Sequence, residues 1–93
     1  MAKMEVGAHI IVRGLVQGVG FRYFVYIRAT RIELKGSVEN NFDGSVEIDI
    51  EGDRSLIEEL IREVKVGPRS AQVTDVKIQW KESQHQYKEF GIH

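Results

Sequence analysis

The hydrophobic and polar positions change period several times along the 93 residues. Between Val6 and Arg13, Ala8, Ile10 and Val12 fall in phase with His9 and Arg13 opposite, the alternation of a strand with one face in a core. Gly14, Gly18 and Gly20 break that pattern and mark a loop over residues 14–20. From Phe21 the spacing turns helical: Phe21, Phe24, Val25, Ala29 and Ile32 share one face, with Arg28 and Arg31 to its side. Lys35–Asn40 reads as a second strand and Asp43-Gly44 as a tight hairpin turn. Val46, Ile48 and Ile50 alternate with Glu47, Asp49 and Glu51, which predicts a strand with one wet face. A second helix is expected from Asp53 or Ser55, with Ser55 and Glu58 spaced as a capping box. Its apolar stripe is Leu56, Ile57, Leu60, Ile61 and Val64, and Gly67-Pro68 stops it. Val76, Ile78 and Trp80 alternate with Lys77 and Gln79 in a fourth strand, and Tyr87–Ile92 predicts a short last one.

The order β-α-β-β-α-β plus a terminal strand predicts an α+β fold, a two-layer sandwich of ferredoxin-like type. An antiparallel sheet carries both helices on one face, because three strands show a single apolar side. Trp80 and the Phe21/Phe24 pair are expected in the core. No linker, low-complexity tract or internal repeat interrupts the chain, so residues 1–93 read as one domain. That topology hosts many unrelated activities and does not by itself give a function.

Composition removes several classes. A hydrophobic fraction of 42% with 29% charged residues is that of a folded soluble domain, not of a disordered or fibrous chain. With no cysteine there is no disulfide scaffold, no thiolate zinc site and no cysteine nucleophile. Met1-Ala2-Lys3-Met4-Glu5 lacks the apolar core of a signal peptide and no run approaches 18 apolar residues. The expectation is a cytoplasmic, monomeric protein without membrane contact. The net charge of -1 argues against a general nucleic-acid partner, whose affinity scales with the phosphates neutralised. The charge is nonetheless uneven. Lys3, Arg13, Arg22, Arg28, Arg31 and Lys35 outnumber Glu5 and Glu33 in the first third, whereas residues 36–64 hold nine carboxylates against Arg54 and Arg62. One small anion on the basic third is therefore possible.

The segment suited to that anion is Val16-Gln17-Gly18-Val19-Gly20-Phe21-Arg22, which joins a strand to a helix N-terminus. Backbone N–H groups there and the helix dipole favour an anion, and glycines let successive amides turn inward around phosphate oxygens. Arg22 in the first turn adds a planar two-donor grip. A cation at that end opposes the dipole at a cost of about 0.3–1 kcal/mol unless an anion sits there too. Such a local conflict is how a functional site looks in a sequence. Glycine spacing alone is met more often by a plain tight turn with Arg22 in solvent.

The longer run Val12-Arg13-Gly14-Leu15-Val16-Gln17-Gly18-Val19-Gly20-Phe21-Arg22 closely resembles the signature of the acylphosphatase family. Gly36-Ser37-Val38-Glu39-Asn40, followed by Asp43-Gly44-Ser45-Val46, is similar to the family's second block. Glu51-Gly52-Asp53, Gly67-Pro68 through Ala71 to Val73-Thr74-Asp75-Val76, and Phe90 with Ile92 extend the likeness over nearly the whole chain. The resemblance implies hydrolysis of the carboxyl–phosphate bond of a small-molecule acyl phosphate, with inorganic phosphate or sulfate as competing anions and no cofactor or metal. It implies further that Arg22, with the amides of Gln17, Gly18, Val19, Gly20 and Phe21, binds the phosphoryl group, and that Asn40 orients the attacking water. An amide suits that task, since its oxygen accepts from water while staying neutral beside a charged substrate. Taken alone, Asn40 reads more simply as a turn-capping asparagine. Ser37 stands where the family commonly has an aromatic, Glu33 where a glycine ends the first helix, and Asn41-Phe42 is also less typical.

Other constellations carry less. His9, His85 and His93 show no ligand spacing and no carboxylate partner in the sequence. Asp49, Glu51 and Asp53 read as the exposed face of a strand and a helix cap. Gly20-Phe21-Arg22-Tyr23-Phe24-Val25-Tyr26 resembles the aromatic signature of RNA-binding domains that share this topology. It has Val19 in place of the leading basic residue and Arg22 in place of a small one, and it lies on a helix. A non-catalytic acyl-phosphate-binding or regulatory domain is the third reading, since domains of this kind also occur inside larger hydrogenase-maturation proteins.

Overall fold

A computed structural model describes residues 5–93; the opening Met1–Met4, read above as lacking a signal-peptide core, lies outside the described residues. The described elements run β1 (Glu5–Leu15), α1 (Phe21–Arg31), β2 (Lys35–Asn40), β3 (Val46–Asp53), α2 (Arg54–Val66), β4 (Gln72–Glu82) and β5 (Phe90–Ile92). They form one sheet in the order β4-β1-β3-β2-β5. β1 pairs antiparallel with both β3 and β4, and β2 pairs antiparallel with β3. The last strand departs from the all-antiparallel expectation: Gly36, Ser37 and Val38 pair in parallel with Phe90, Gly91 and Ile92, so the sheet is mixed. The short strand also begins three residues later than Tyr87.

The alternation seen in the sequence becomes the core. Ala8, Ile10 and Val12 lie opposite Ile50, Ile48 and Val46, and all six are fully buried. α1 lies over β2 and β5, α2 over β3, β4 and β1, and the two helices touch each other. Phe21, Val25 and Ala29 from α1 and Ile57, Leu60, Ile61 and Val64 from α2 complete one cluster. Each fully buried aliphatic side chain of this kind contributes about 1.5–3 kcal/mol over its exposed state. Trp80 is only half-buried on the outer strand β4, where the Arg54 guanidinium lies 4.2 Å from its ring centre.

Helix ends follow local chemistry. Asp53 caps α2 by accepting from the Ser55 backbone N–H at 2.9 Å and from the Ser55 hydroxyl. Ser55 thus serves Asp53 and does not head a capping box with Glu58, which instead faces Arg54 at 3.7 Å. At the end of α1, Leu34 N–H donates to the Ala29 carbonyl and Glu33 N–H to the Thr30 carbonyl, a Schellman closure. It places Glu33 at φ 60°, the left-handed position a glycine would fill.

The wet face of β3 is less open than its alternation implies. Glu51 is 5% exposed because residues 84–87 fold over it, and its carboxylate accepts from the backbone N–H groups of Gln84 and Gln86 at 2.9 and 3.2 Å. Asp49 accepts from the Tyr87 hydroxyl at 2.7 Å and pairs with Lys81 at 2.7 Å. Burial and this carboxylate raise the Tyr87 phenol above its ordinary value. The acidic strand face therefore holds the connection that delivers β5 to the sheet edge. His9 also has a carboxylate partner, Glu47 on the neighbouring strand at 2.8 Å, and His85 lies 3.7 Å from Glu5. Both pairings join residues distant in sequence, which is why spacing along the chain does not reveal them. Among the described residues no helix is long and apolar enough to cross a membrane.

Candidate active site

β1 reaches the site with a shifted register, Arg13 pairing with Asp75 but Gly14 with Val73, so an irregularity re-aims the strand just before the loop. Over Val16–Gly20 the chain turns through two left-handed residues, Gly18 at φ 73° and Gly20 at φ 77°. A Cβ on either would meet nothing within 4 Å, so the backbone dihedral and not space calls for glycine here. Gly20 is the N-cap of α1 and its carbonyl takes the first helical bond from Phe24 N–H at 3.0 Å. No side chain caps this end, and no acidic residue occupies its first turn. The N–H groups of Phe21, Arg22 and Tyr23 therefore begin a helix with its positive end undressed.

Arg22 and Asn40, 18 positions apart, line one hollow of about 190 Å³ together with Val16, Gly18, Gly20, Phe21, Tyr23 and Ile92. A hollow of that size is roomier than a single water needs and takes a group as small as a phosphoryl. Arg22 Nη1 donates to the backbone oxygen of His93 at 2.5 Å, which uses one of its five guanidinium N–H groups and fixes the plane of the rest. Asn40 is the last residue of β2, and its side chain makes no hydrogen bond among the described residues. An amide held at a strand end beside a guanidinium and a glycine turn can present an oxygen to a water molecule.

The other expected loop residues divide. Gly18, Gly20 and the start of Phe21 line the hollow, while the Phe21 ring itself is buried 5.8 Å from Phe24. Val19 packs at the edge of the core, and its carbonyl accepts from the Ser70 hydroxyl at 3.0 Å, which pins the loop to the α2–β4 connection. Gln17 turns its side chain away from the hollow: Nε2 donates to the backbone oxygens of Asn41 and Ser45 at 2.7 and 2.8 Å.

That clasp meets a rigid β2–β3 turn. Asn41 N–H donates to Ser45 O, Gly44 N–H to Asn41 O, and the Asn41 amide to the Ser45 hydroxyl. Asp43 accepts from the Ser45 hydroxyl and backbone N–H at 2.6 and 2.9 Å and from Arg13 at 3.0 Å. The Ser45 hydrogen bonds first, and Arg13 after them, hold the Asp43 carboxyl down at about 2. Sequence reasoning missed the His93 oxygen, Ile92 and Tyr23. Tyr23 was within reach, being next to Arg22 in the first helical turn, whereas the other two enter only through the parallel pairing of β5.

Of the larger hollows among the described residues, two that lie away from Arg22 and Asn40 suit a phosphoryl group less well. One of about 400 Å³ is walled by Glu5, Glu33, Glu51 and Asp53, whose charge repels an anion. One of about 580 Å³ between the helices contains Arg28, Arg31 and Arg62 beside Glu59 and Glu63. Arg28 there is taken up by Glu63 at 3.0 Å and by the Phe24 ring at 3.7 Å. Among the described residues no three His, Asp or Glu side chains gather as metal ligands.

Residues 8–92 match the family model described as Acylphosphatase. A curated acylphosphatase of Caldanaerobacter subterraneus subsp. tengcongensis is 47% identical over 90 residues, covering 97% of this chain and 100% of that one. The crystal structure of acylphosphatase from Bacillus subtilis superposes with a TM-score of 0.91 at 40% identity, covering 95% of this chain and 98% of that one. Full-length HypF in its phosphate- and nucleotide-bound form contains a similar portion. The TM-score is 0.91 at 35% identity over 100% of this chain, which spans 12% of that much longer protein.

Proposed function

The chain belongs to the acylphosphatase family and hydrolyses the carboxyl–phosphate bond of acyl phosphates; within that activity we propose that Arg22 and the amides from Gly18 to Arg22 hold the phosphoryl group while Asn40 holds the attacking water. One observation carries the assignment: Arg22, Asn40 and the two left-handed glycines share a single small hollow.

An acyl phosphate is a mixed anhydride with a good leaving group, so positioning and charge stabilisation supply most of what the reaction needs. Backbone donors at the undressed start of α1 lie where charge collects on the equatorial phosphoryl oxygens. Arg22, its plane set by His93, adds a charged grip whose strength grows as those oxygens gain charge. The Asn40 oxygen accepts from the water and aims its lone pair at phosphorus. The new bond forms from water oxygen to phosphorus, and the phosphorus–acyl oxygen bond breaks. The electron pair leaves on the carboxylate. The water proton passes to a phosphoryl oxygen, so no protein base and no metal is required. Every group used comes from one copy of the chain, which supports a single catalytic domain acting as a monomer.

Hydrolysis of benzoyl phosphate tests this reading, with inorganic phosphate and sulfate as competitors. The expected result is turnover that survives a chelator and is lost in Arg22→Ala. Full activity in that variant, or loss of wild-type activity on chelation, contradicts it.

A further inference from the structure

Resting on the assignment of Arg22 and Asn40 above, we propose that Tyr23 receives the acyl group of the substrate, with Ile92 beside it, and that the enzyme favours acyl phosphates whose acyl group is flat and apolar. The hollow has two kinds of wall. Gly18, Gly20, Arg22 and Asn40 supply the polar part suited to phosphate. Tyr23 and Ile92 supply apolar surface that is open to solvent, at 62% and 40% exposure, while Val16 and Phe21 beneath them are 1% exposed. Two large exposed apolar side chains converging on one small hollow are a contact surface for an apolar group.

The Tyr23 ring is also braced. It stacks on Tyr26 with centroids 6.3 Å apart and planes at 24°, and Tyr26 in turn packs against buried Phe90 at 6.3 Å. A ring propped on the core in this way loses little further freedom when a ligand covers its outer face.

The direction follows from in-line displacement, in which the leaving oxygen departs opposite the attacking water. A water held by Asn40, at the end of β2, sends the acyl group away from that residue, and Tyr23, on α1, is the large exposed apolar side chain of the hollow that lies on neither β2 nor its neighbour β5. The rival surface is Phe42, which is wholly exposed two residues beyond Asn40. It borders a separate hollow with Gln17, Glu39, Asn40 and Asn41, which neither Arg22 nor the glycine turn lines.

The test compares kcat/KM for benzoyl phosphate and acetyl phosphate in wild type, Tyr23→Ala, Tyr23→Phe and Phe42→Ala. Taking the ratio of the two substrates within each variant, and comparing ratios between variants, cancels their intrinsic reactivities. In Tyr23→Ala the benzoyl-to-acetyl ratio should fall about three- to tenfold, the scale of one lost aromatic contact, mainly through KM for benzoyl phosphate. Tyr23→Phe and Phe42→Ala should keep the wild-type ratio. An unaltered ratio in Tyr23→Ala, or the loss appearing in Phe42→Ala, overturns the proposal. Hydrolysis of neither substrate by wild type would overturn the site assignment itself and this proposal with it.

Discussion

Gln17 holds Ser45: its side-chain amide donates to the Ser45 carbonyl at 2.8 Å and, with its second hydrogen, to that of Asn41 at 2.7 Å. The glycine loop and the β2–β3 turn are thereby clasped by one residue, and the strand end that carries Asn40 lies between them. The residue whose backbone amide is expected to face the phosphate uses its side chain for positioning. Each of these hydrogen bonds is worth about 0.5–1.5 kcal/mol net.

Gln17→Leu keeps the bulk and removes both donors. Turnover of benzoyl phosphate should fall by roughly tenfold as Asn40 loses its register, since an error near 1 Å in a catalytic group can cost 10²-fold. Phosphate inhibition should change little, because Arg22 and the glycine turn stay in place. Steady-state kinetics with phosphate as inhibitor checks this; an unchanged kcat contradicts it.

Asp43 makes the same turn sensitive to acid. Its carboxyl is held at about 2 against an ordinary value of 3.8, so the folded state favours the charged form. The associated stability is present above the unfolded value and is lost as pH falls through the folded one, between about pH 4 and pH 2. The gap in Tm between wild type and Asp43→Ala should therefore be wider at pH 6 than at pH 2. Thermal melts of both proteins at the two pH values measure it, and an equal gap at both refutes the linkage.

Glu33 occupies a left-handed C′ position at φ 60°. A non-glycine residue there costs about 1–2 kcal/mol, partly offset by the extra chain entropy that glycine loses on folding. Glu33→Gly should stabilise the protein by roughly 0.5–1 kcal/mol, a rise of about 3–6 °C in Tm for a domain of this size. A lower Tm would show that Glu33 is held by more than its dihedral.

Much of the fold was legible because alternation and helical spacing are local. Ala8, Ile10 and Val12, then Val46, Ile48 and Ile50, announce their strands, and Leu60 and Val64 their helix. Arg22 and Asn40 were legible for another reason: each stands in a motif of the family signature. What stayed hidden depends on contacts between residues distant in sequence. Nothing near Glu51 tells that Gln84 and Gln86 will cover it, 33 and 35 positions later. The parallel pairing of β5 is equally invisible, and with it the His93 oxygen on Arg22, 71 residues away. The Gln17 clasp is hidden for the same reason, since a loop residue's side chain can serve a partner distant in sequence while its backbone serves the loop.

The most direct measurement pairs Asn40→Ala with Arg22→Ala, reading benzoyl phosphate turnover and inorganic phosphate affinity in each. In Asn40→Ala, kcat should drop on the order of 10²-fold or more while phosphate still binds, because the water is lost and the cradle is kept. In Arg22→Ala, phosphate affinity should fall along with turnover. Parallel loss of phosphate affinity in Asn40→Ala, or turnover that survives it, would contradict the division of labour between the two residues.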